Sequence, residues 1–193
     1  MSLRPAGLRR PELAPADGPL LLIGLLAAGA AISGFTMLRL LDPYDEGQIL
    51  LAARRVAQGE WPYADFVFPY GPGHPLLLGG LEQLLGQSLL WWRIIRVAAD
   101  ATVALLVYVL ARRMAPRPVA LVAWLIAATG MAQPGGPNPF PVALALGLGA
   151  LALATVVPPG AGRGWPRPAA AGVLVALAAF WRIDFGAFAA LGV

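Results

Sequence analysis

Cysteine is absent from the 193 residues, which excludes disulfides, thiolate metal sites and a thiol nucleophile. Lysine is absent too, and all 14 basic side chains are Arg; that bias carries no functional meaning by itself. There is one His, and no run of His, Glu or Cys has metal-ligand spacing. The pairs Gly71-Pro72-Gly73 and Gly135-Gly136 are not phosphate cradles, because neither sits between a strand and a helix. Charge is scarce, at 12% of residues against roughly 25% in ordinary soluble domains. The net charge is +4, but the arginines stand singly at the ends of apolar runs instead of forming a solvated stripe, which argues against nucleic acid as a partner. What remains is apolar: 59% hydrophobic residues and a mean hydropathy of +0.70 place the chain in a bilayer. Its 23 Gly and 19 Pro fit broken or closely packed membrane helices.

The charges punctuate the apolar runs. Gly18 to Leu38 is an uncharged stretch of 21 residues, enough at about 1.5 Å per residue to cross a hydrocarbon core of roughly 30 Å. A cleaved signal peptide is the alternative, since Arg9 and Arg10 precede it and small residues occupy Ala28 to Ala31. The run continues through Phe35 and Leu38, however, and further spans follow. Ser88 can cap a second span, 89–111, which ends at Arg112, Arg113 and Arg117. Between Arg117 and Arg163 lie 45 uncharged residues, divided by Gln133-Pro134-Gly135-Gly136-Pro137-Asn138-Pro139 into short spans at about 118–133 and 140–157. A fifth begins near Pro168, and the chain stops inside apolar sequence, as a fragment would. The expectation is an all-α, polytopic membrane helix bundle: a cytoplasmic tail (1–17), then a transmembrane domain (18–193) of about five spans, truncated at its C-terminus.

The segment between the first two spans, 38–88, is different. It holds six of the ten acids and the single His. Asp42 is placed to cap a helix, Pro43 suits its first turn, and Gly59 reads as its stop, so 43–58 is expected to be helical. Ile49, Ala53 and Val56 follow helical spacing on a helix that lies along the membrane surface. A second amphipathic helix is expected from about Pro75 to Leu85, ending at Gly86. With the N-terminus cytoplasmic, eight arginines fall inside and six outside, for net charges of +6 and −2. The positive-inside rule therefore puts the acidic loop on the extracytoplasmic face.

Several side chains there have chemistry available. Asp45 and Glu46 start the first surface helix, where the macrodipole favours carboxylates; capping alone would explain them. Arg93, Arg96 and Asp100 fall on one face at the outer end of the second span. Ionisable groups at that depth face a cavity or a partner, and the structural alternative is an Arg96–Asp100 ion pair that locks helices together while Arg93 snorkels. Arg182 and Asp184 would lie some 21 to 24 Å along a fifth span, as a structural pair or as part of the same cavity. Their two-residue spacing puts them on different faces unless the helix breaks there. Trp61, Tyr63, Trp91 and Trp92 read as an interfacial aromatic belt.

Taken as an ordered set, Asp45-Glu46-Gly47, Arg55, Gly59-Glu60-Trp61-Pro62-Tyr63, Asp65-Phe66, Pro69-Tyr70-Gly71-Pro72-Gly73, Leu84-Leu85-Gly86 and Arg96 resemble the first extracytoplasmic loop of GT-C glycosyltransferases. That superfamily includes the protein O-mannosyltransferases, the lipid A aminoarabinose transferases and many bacterial relatives. The resemblance covers about residues 18–185, the N-terminal part of such an enzyme. It implies a multi-pass protein of the bacterial inner membrane that moves a sugar, with inversion, from a polyprenyl-phosphate donor to an extracytoplasmic acceptor. Asp45 matches the family's catalytic aspartate, the base that takes the acceptor's proton, and Glu46 its neighbour, orienting the helix or binding sugar hydroxyls. Arg96 and Arg93 are expected to hold the donor phosphate, with Asp100 orienting Arg96 and with Asp65 and Tyr70 in support. Where some relatives carry a Lys before Pro near the phosphate, this chain's nearest basic group is His74, expected to take that Lys's place on the donor phosphate, with a merely solvated loop His as the alternative. Where the aminoarabinose branch has Asp before Pro-Phe, this chain has Asn138, which can neither act as a base nor carry charge. Metal dependence, the sugar and the acceptor are open. A transporter or flippase component for lipid-linked sugars would also need outer-face arginines but not Asp45 as a base, and a non-catalytic fragment is a third reading.

Overall fold

The computed structural model describes residues 17–39, 44–133, 140–155 and 166–193. Among them the chain is all-α, with eight helices: α1 (Pro19–Thr36), α2 (Asp45–Ala57), α3 (Gly73–Leu85), α4 (Leu89–Arg112), α5 (Arg117–Met131), α6 (Phe140–Ala154), α7 (Pro166–Trp181) and α8 (Ile183–Gly192). Two, α1 and α4, are long and apolar enough to cross a membrane. The other apolar helices, α5 to α8, have 10 to 16 residues, fewer than the roughly 20 of a straight span.

Helix α4 is the hub, with α1, α5 and α6 packed along it. Small residues bring α1 close: a Cβ on Gly29 would lie 3.4 Å from the Ala101 Cα. Leu25 of α1, Ala104 and Tyr108 of α4, and Ala120, Trp124 and Ala128 of α5 form one buried cluster. Hydrogen bonds between helices add to this close packing. The bonds are at both ends of α1. At one end Asp17 accepts from the Tyr108 hydroxyl (2.7 Å) and Arg112 Nε (2.9 Å). Near the other, the Ser33 hydroxyl donates to Asp100 Oδ2 (2.6 Å).

The acidic segment folds as a helical hairpin. Asp45 and Glu46 occupy the first turn of α2, and Arg54 and Arg55 the last, the arrangement the helix dipole favours. Gly59, at φ +94°, and Gly86, at φ +84°, end α2 and α3 in a conformation that L side chains seldom adopt. Ile49, Ala52 and Ala53 pack against Leu78, Phe66, Phe68 and Trp92. Gly79 permits the approach, because a Cβ there would sit 2.7 Å from Val56 Cγ1 and 2.8 Å from the Ala53 oxygen.

Ser88 caps α4, accepting from the Leu90 amide at 3.1 Å, as its sequence position predicts. The expected cap Asp42 and the turn residue Pro43 lie outside the described residues, and α2 is described from Asp45. Trp92 differs from the expected aromatic belt: it is fully buried in the hairpin core, whereas Trp61 and Tyr63 are exposed.

The fifth apolar run is not one straight helix. Backbone at Arg182 is extended (φ −161°, ψ 113°), between the end of α7 and the start of α8. Gly186 then packs on Ala179, where a Cβ would collide with it. A Cβ on Gly147 would meet Ala189, and one on Gly192 would meet Leu151, so α8 runs in the same sense as α6. Residues 181–183 are therefore a corner, and Arg182 and Asp184 sit at it.

Candidate functional site

The loop between α2 and α3 docks on that corner. The Gly71 amide donates to the Trp181 carbonyl oxygen at 3.1 Å. A Cβ on Gly71 would overlap the Phe180 carbonyl, and one on Gly73 the Trp181 ring, so only glycine allows the Tyr70-Gly71-Pro72-Gly73 turn to lie this close. The loop is stapled internally. Arg55 Nε donates to Glu60 at 2.6 Å and Arg55 Nη2 to the Asp65 carbonyl at 3.1 Å. The Trp61 amide donates to Asp65 Oδ2 at 2.7 Å. Tyr63 adopts φ +69°, an unusual conformation for an aromatic residue, and its hydroxyl donates to the Tyr70 carbonyl. Asp65 is thus a clamp within the loop.

Between loop and corner lies a cleft of about 510 Å³ lined by Tyr63, Phe68, Tyr70, Arg182 and Asp184, among others. Arg182 Nε donates to both Asp184 oxygens, at 3.0 and 3.1 Å. The Arg182 guanidinium also lies 5.7 Å from the Tyr70 ring centre and 5.2 Å from that of Phe185. Burial and the charge of Asp45, on α2, raise the Tyr70 phenol above its ordinary pKa, and the Arg182 charge acts against them. Of the residues singled out from the sequence, Tyr70, Arg182 and Asp184 line this cleft, and the charge of Asp45 acts on it through Tyr70.

The others do not join it. Glu46, adjacent to Asp45, turns into the protein and meets Arg93 in a bidentate pair, Nε to Oε1 at 3.0 Å and Nη2 to Oε2 at 2.8 Å. Arg93 Nη1 donates to the Met37 carbonyl, so all three of its nitrogens are engaged. Arg96 Nη2 donates to the Gln133 carbonyl at 3.0 Å, and its Nε lies 3.6 Å from Asp100 Oδ2. Asp100 is 1% exposed, and its Oδ1 has no hydrogen-bond partner. The Arg96–Asp100 pair of the structural alternative is present within α4 and is joined to α1 through Ser33, which the sequence reading did not single out, whereas Arg93 does not snorkel but is buried against Glu46.

His74 is fully buried, with its ring edge-on to Trp92 (5.0 Å between centroids) and Trp181 (5.9 Å). Neither ring nitrogen has a hydrogen-bond partner, and burial lowers its pKa to about 3. It is a neutral wedge between α3, α4 and α7. Asn138 lies outside the described residues. Among the described residues no three His, Asp or Glu side chains converge where they could hold a metal ion.

The arrangement offers the Tyr70 phenol and an arginine–carboxylate pair on an aromatic-walled cleft, with the Asp45 charge acting on the phenol. No protein-family model, no curated protein and no solved structure matches this chain.

Proposed function

We propose that this chain is the donor-site end of a polytopic membrane glycosyltransferase of GT-C type. It would act at the outer face of a bacterial inner membrane on a polyprenyl-phosphate-linked sugar. The observation that carries the reading is the divergence of two adjacent acids. Glu46 is held in the interior by Arg93, while Asp45 is only half-buried and its charge acts on the Tyr70 phenol, which lines the cleft. Anchoring α2 through one carboxylate fixes the position of the other, as a general base requires.

In the reaction, an acceptor hydroxyl oxygen attacks the anomeric carbon and Asp45 takes its proton. The bond from that carbon to the phosphate oxygen breaks, and the polyprenyl phosphate leaves with the electron pair. Attack opposite the leaving group inverts the carbon. The aromatic side chains Tyr63 and Phe68 supply apolar walls suited to a sugar ring. The expected orientation follows the charge asymmetry: tail 1–17 and the arginines after α4 in the cytoplasm, the α2–α3 hairpin and the cleft outside.

The test is sugar transfer from a mixed polyprenyl-phosphate sugar pool by the gene product in membranes, wild type against Asp45→Asn. Transfer lost on an intact fold supports the reading. Equal transfer by both removes Asp45 as the base, and no transfer by either favours a carrier of lipid-linked sugars.

A further inference from the structure

A second recess, sharing no lining residue with the cleft, runs between the C-terminal ends of α1 and α5 and has a volume of about 610 Å³. Its hydroxyl donors are spent on their own helices. The Thr36 hydroxyl donates to the Ser33 carbonyl at 3.0 Å and the Thr129 hydroxyl to the Leu125 carbonyl at 2.8 Å, while the Gln133 side-chain amide donates to the Thr129 carbonyl at 3.1 Å. What the groove presents between them is Ala31, Ile32, Phe35 and Ala132, an apolar slot.

Arg39 is the exception. It is exposed at the rim, with its guanidinium 3.8 Å from the centre of the Phe35 ring. Contact with a ring face uses none of its N–H donors, and among the described residues it has no hydrogen bond or ion pair. The C-terminal end of a helix repels an anion, but both helix ends here are covered from the inside. Arg93 donates to the Met37 carbonyl just beyond α1, and Arg96 to the Gln133 carbonyl just beyond α5. Each of these is paired, with Glu46 and Asp100, so the two buried pairs add no net charge. Arg39 is the only charged side chain among the described residues that line the groove.

We propose that this groove binds one anionic phospholipid of the surrounding bilayer, with an acyl chain in the slot between α1 and α5 and the headgroup phosphate on Arg39. The proposal rests on the bilayer placement of the chain, for which α1 is long and apolar enough, and not on sugar transfer. A guanidinium with unspent N–H groups is a strong partner for phosphate oxygens. A zwitterionic lipid carries a cation near its phosphate, which Arg39 repels, so the site selects a headgroup of net negative charge. Bound there, the lipid ties α1 to α5 at the end of α1 that leads into the hairpin.

The experiment is native mass spectrometry of the full chain in detergent, counting bound lipid after addition of phosphatidylglycerol or of phosphatidylcholine with the same acyl chains. Phosphatidylglycerol is expected to bind about fivefold more tightly, the equivalent of about 1 kcal/mol for one arginine at an anionic lipid surface. Arg39→Gln should erase that preference and leave phosphatidylcholine binding unchanged. Ala31→Trp, which fills the slot from an exposed position, should weaken both lipids. Equal binding of the two lipids by wild type, an unchanged preference in Arg39→Gln, or unchanged binding by Ala31→Trp overturns the proposal. The wild-type comparison needs no variant to fold. Displacement of phosphatidylglycerol by equimolar farnesyl phosphate overturns a bilayer phospholipid as the occupant, and displacement by equimolar glycerol phosphate overturns the acyl slot. Release of the chain from membranes by alkaline carbonate would remove the bilayer placement and the proposal with it. Headgroup selectivity without sugar transfer from any donor would retain the lipid site and remove the glycosyltransferase.

Discussion

Glu46 and Arg93 meet through two hydrogen bonds of 3.0 and 2.8 Å, with each side chain 4% exposed, and so join the first turn of α2 to the N-terminal end of α4. Two charges this far from water are tolerated because each satisfies the other. Their pairing removes Arg93 from the cations available to a ligand.

Breaking that pair leaves a buried charge alone. Glu46→Ala and Arg93→Ala are each expected to lower stability by about 3–5 kcal/mol. Glu46→Leu with Arg93→Met should recover much of the loss, which thermal unfolding of the purified variants in detergent would measure.

Asp45→Asn should act in the opposite way. Unfolding is expected to stay near wild type, because the Asp45 side chain is not in the buried core, while transfer falls by about 10²–10⁴, the usual contribution of a general base.

His74 makes stability depend on pH. Its folded pKa of about 3 lies below the ordinary 6.5, so the fold holds the ring neutral. The associated stability is complete above pH 6.5 and is lost as pH falls from there towards 3, at up to about 1.4 kcal/mol per pH unit. Melting temperatures measured between pH 7.5 and 5 should fall for wild type and fall less for His74→Phe.

Gly71→Ala tests whether loop and corner must touch. The new methyl group would overlap the Phe180 carbonyl, a backbone atom that cannot swing aside. A loss of about 1–3 kcal/mol is expected, together with loss of transfer, whereas Gly80→Ala, where a Cβ meets nothing within 4 Å, should leave both unchanged.

Arg96→Ala should lower stability, by opening the contacts of Arg96 with Gln133 and Asp100, and leave donor affinity within about twofold. Binding of methyl farnesyl phosphate to folded variant protein is the check.

The order of apolar runs and the charges between them placed α1 to α6 and the start of α7 within a few residues, because Ser88, Gly59 and Gly86 mark helix ends by local backbone chemistry, but they gave no sign of the break at Arg182 that separates α8 from α7. The same residues could not say which arginine is free. Arg93, Arg96 and Arg182 look alike in a sequence, each an ionisable group within an apolar run. What separates them is the element opposite: Glu46 from α2, the Gln133 carbonyl after α5, or an open cleft. Asp45 and Glu46 are likewise equivalent as neighbours, and only the rotation of α2 against α4 sends one inward and leaves the other beside Tyr70. Helical spacing states which side chains share a face, but what that face meets depends on contacts distant in the chain, such as Ser33 with Asp100 or Gly71 with Trp181. The sequence by itself determined an all-α chain of apolar helices with an acidic hairpin inserted after the first. The tertiary structure decided which of its charges are spent on holding helices together and which remain for a ligand, because pairing depends on distances between elements that no local pattern encodes.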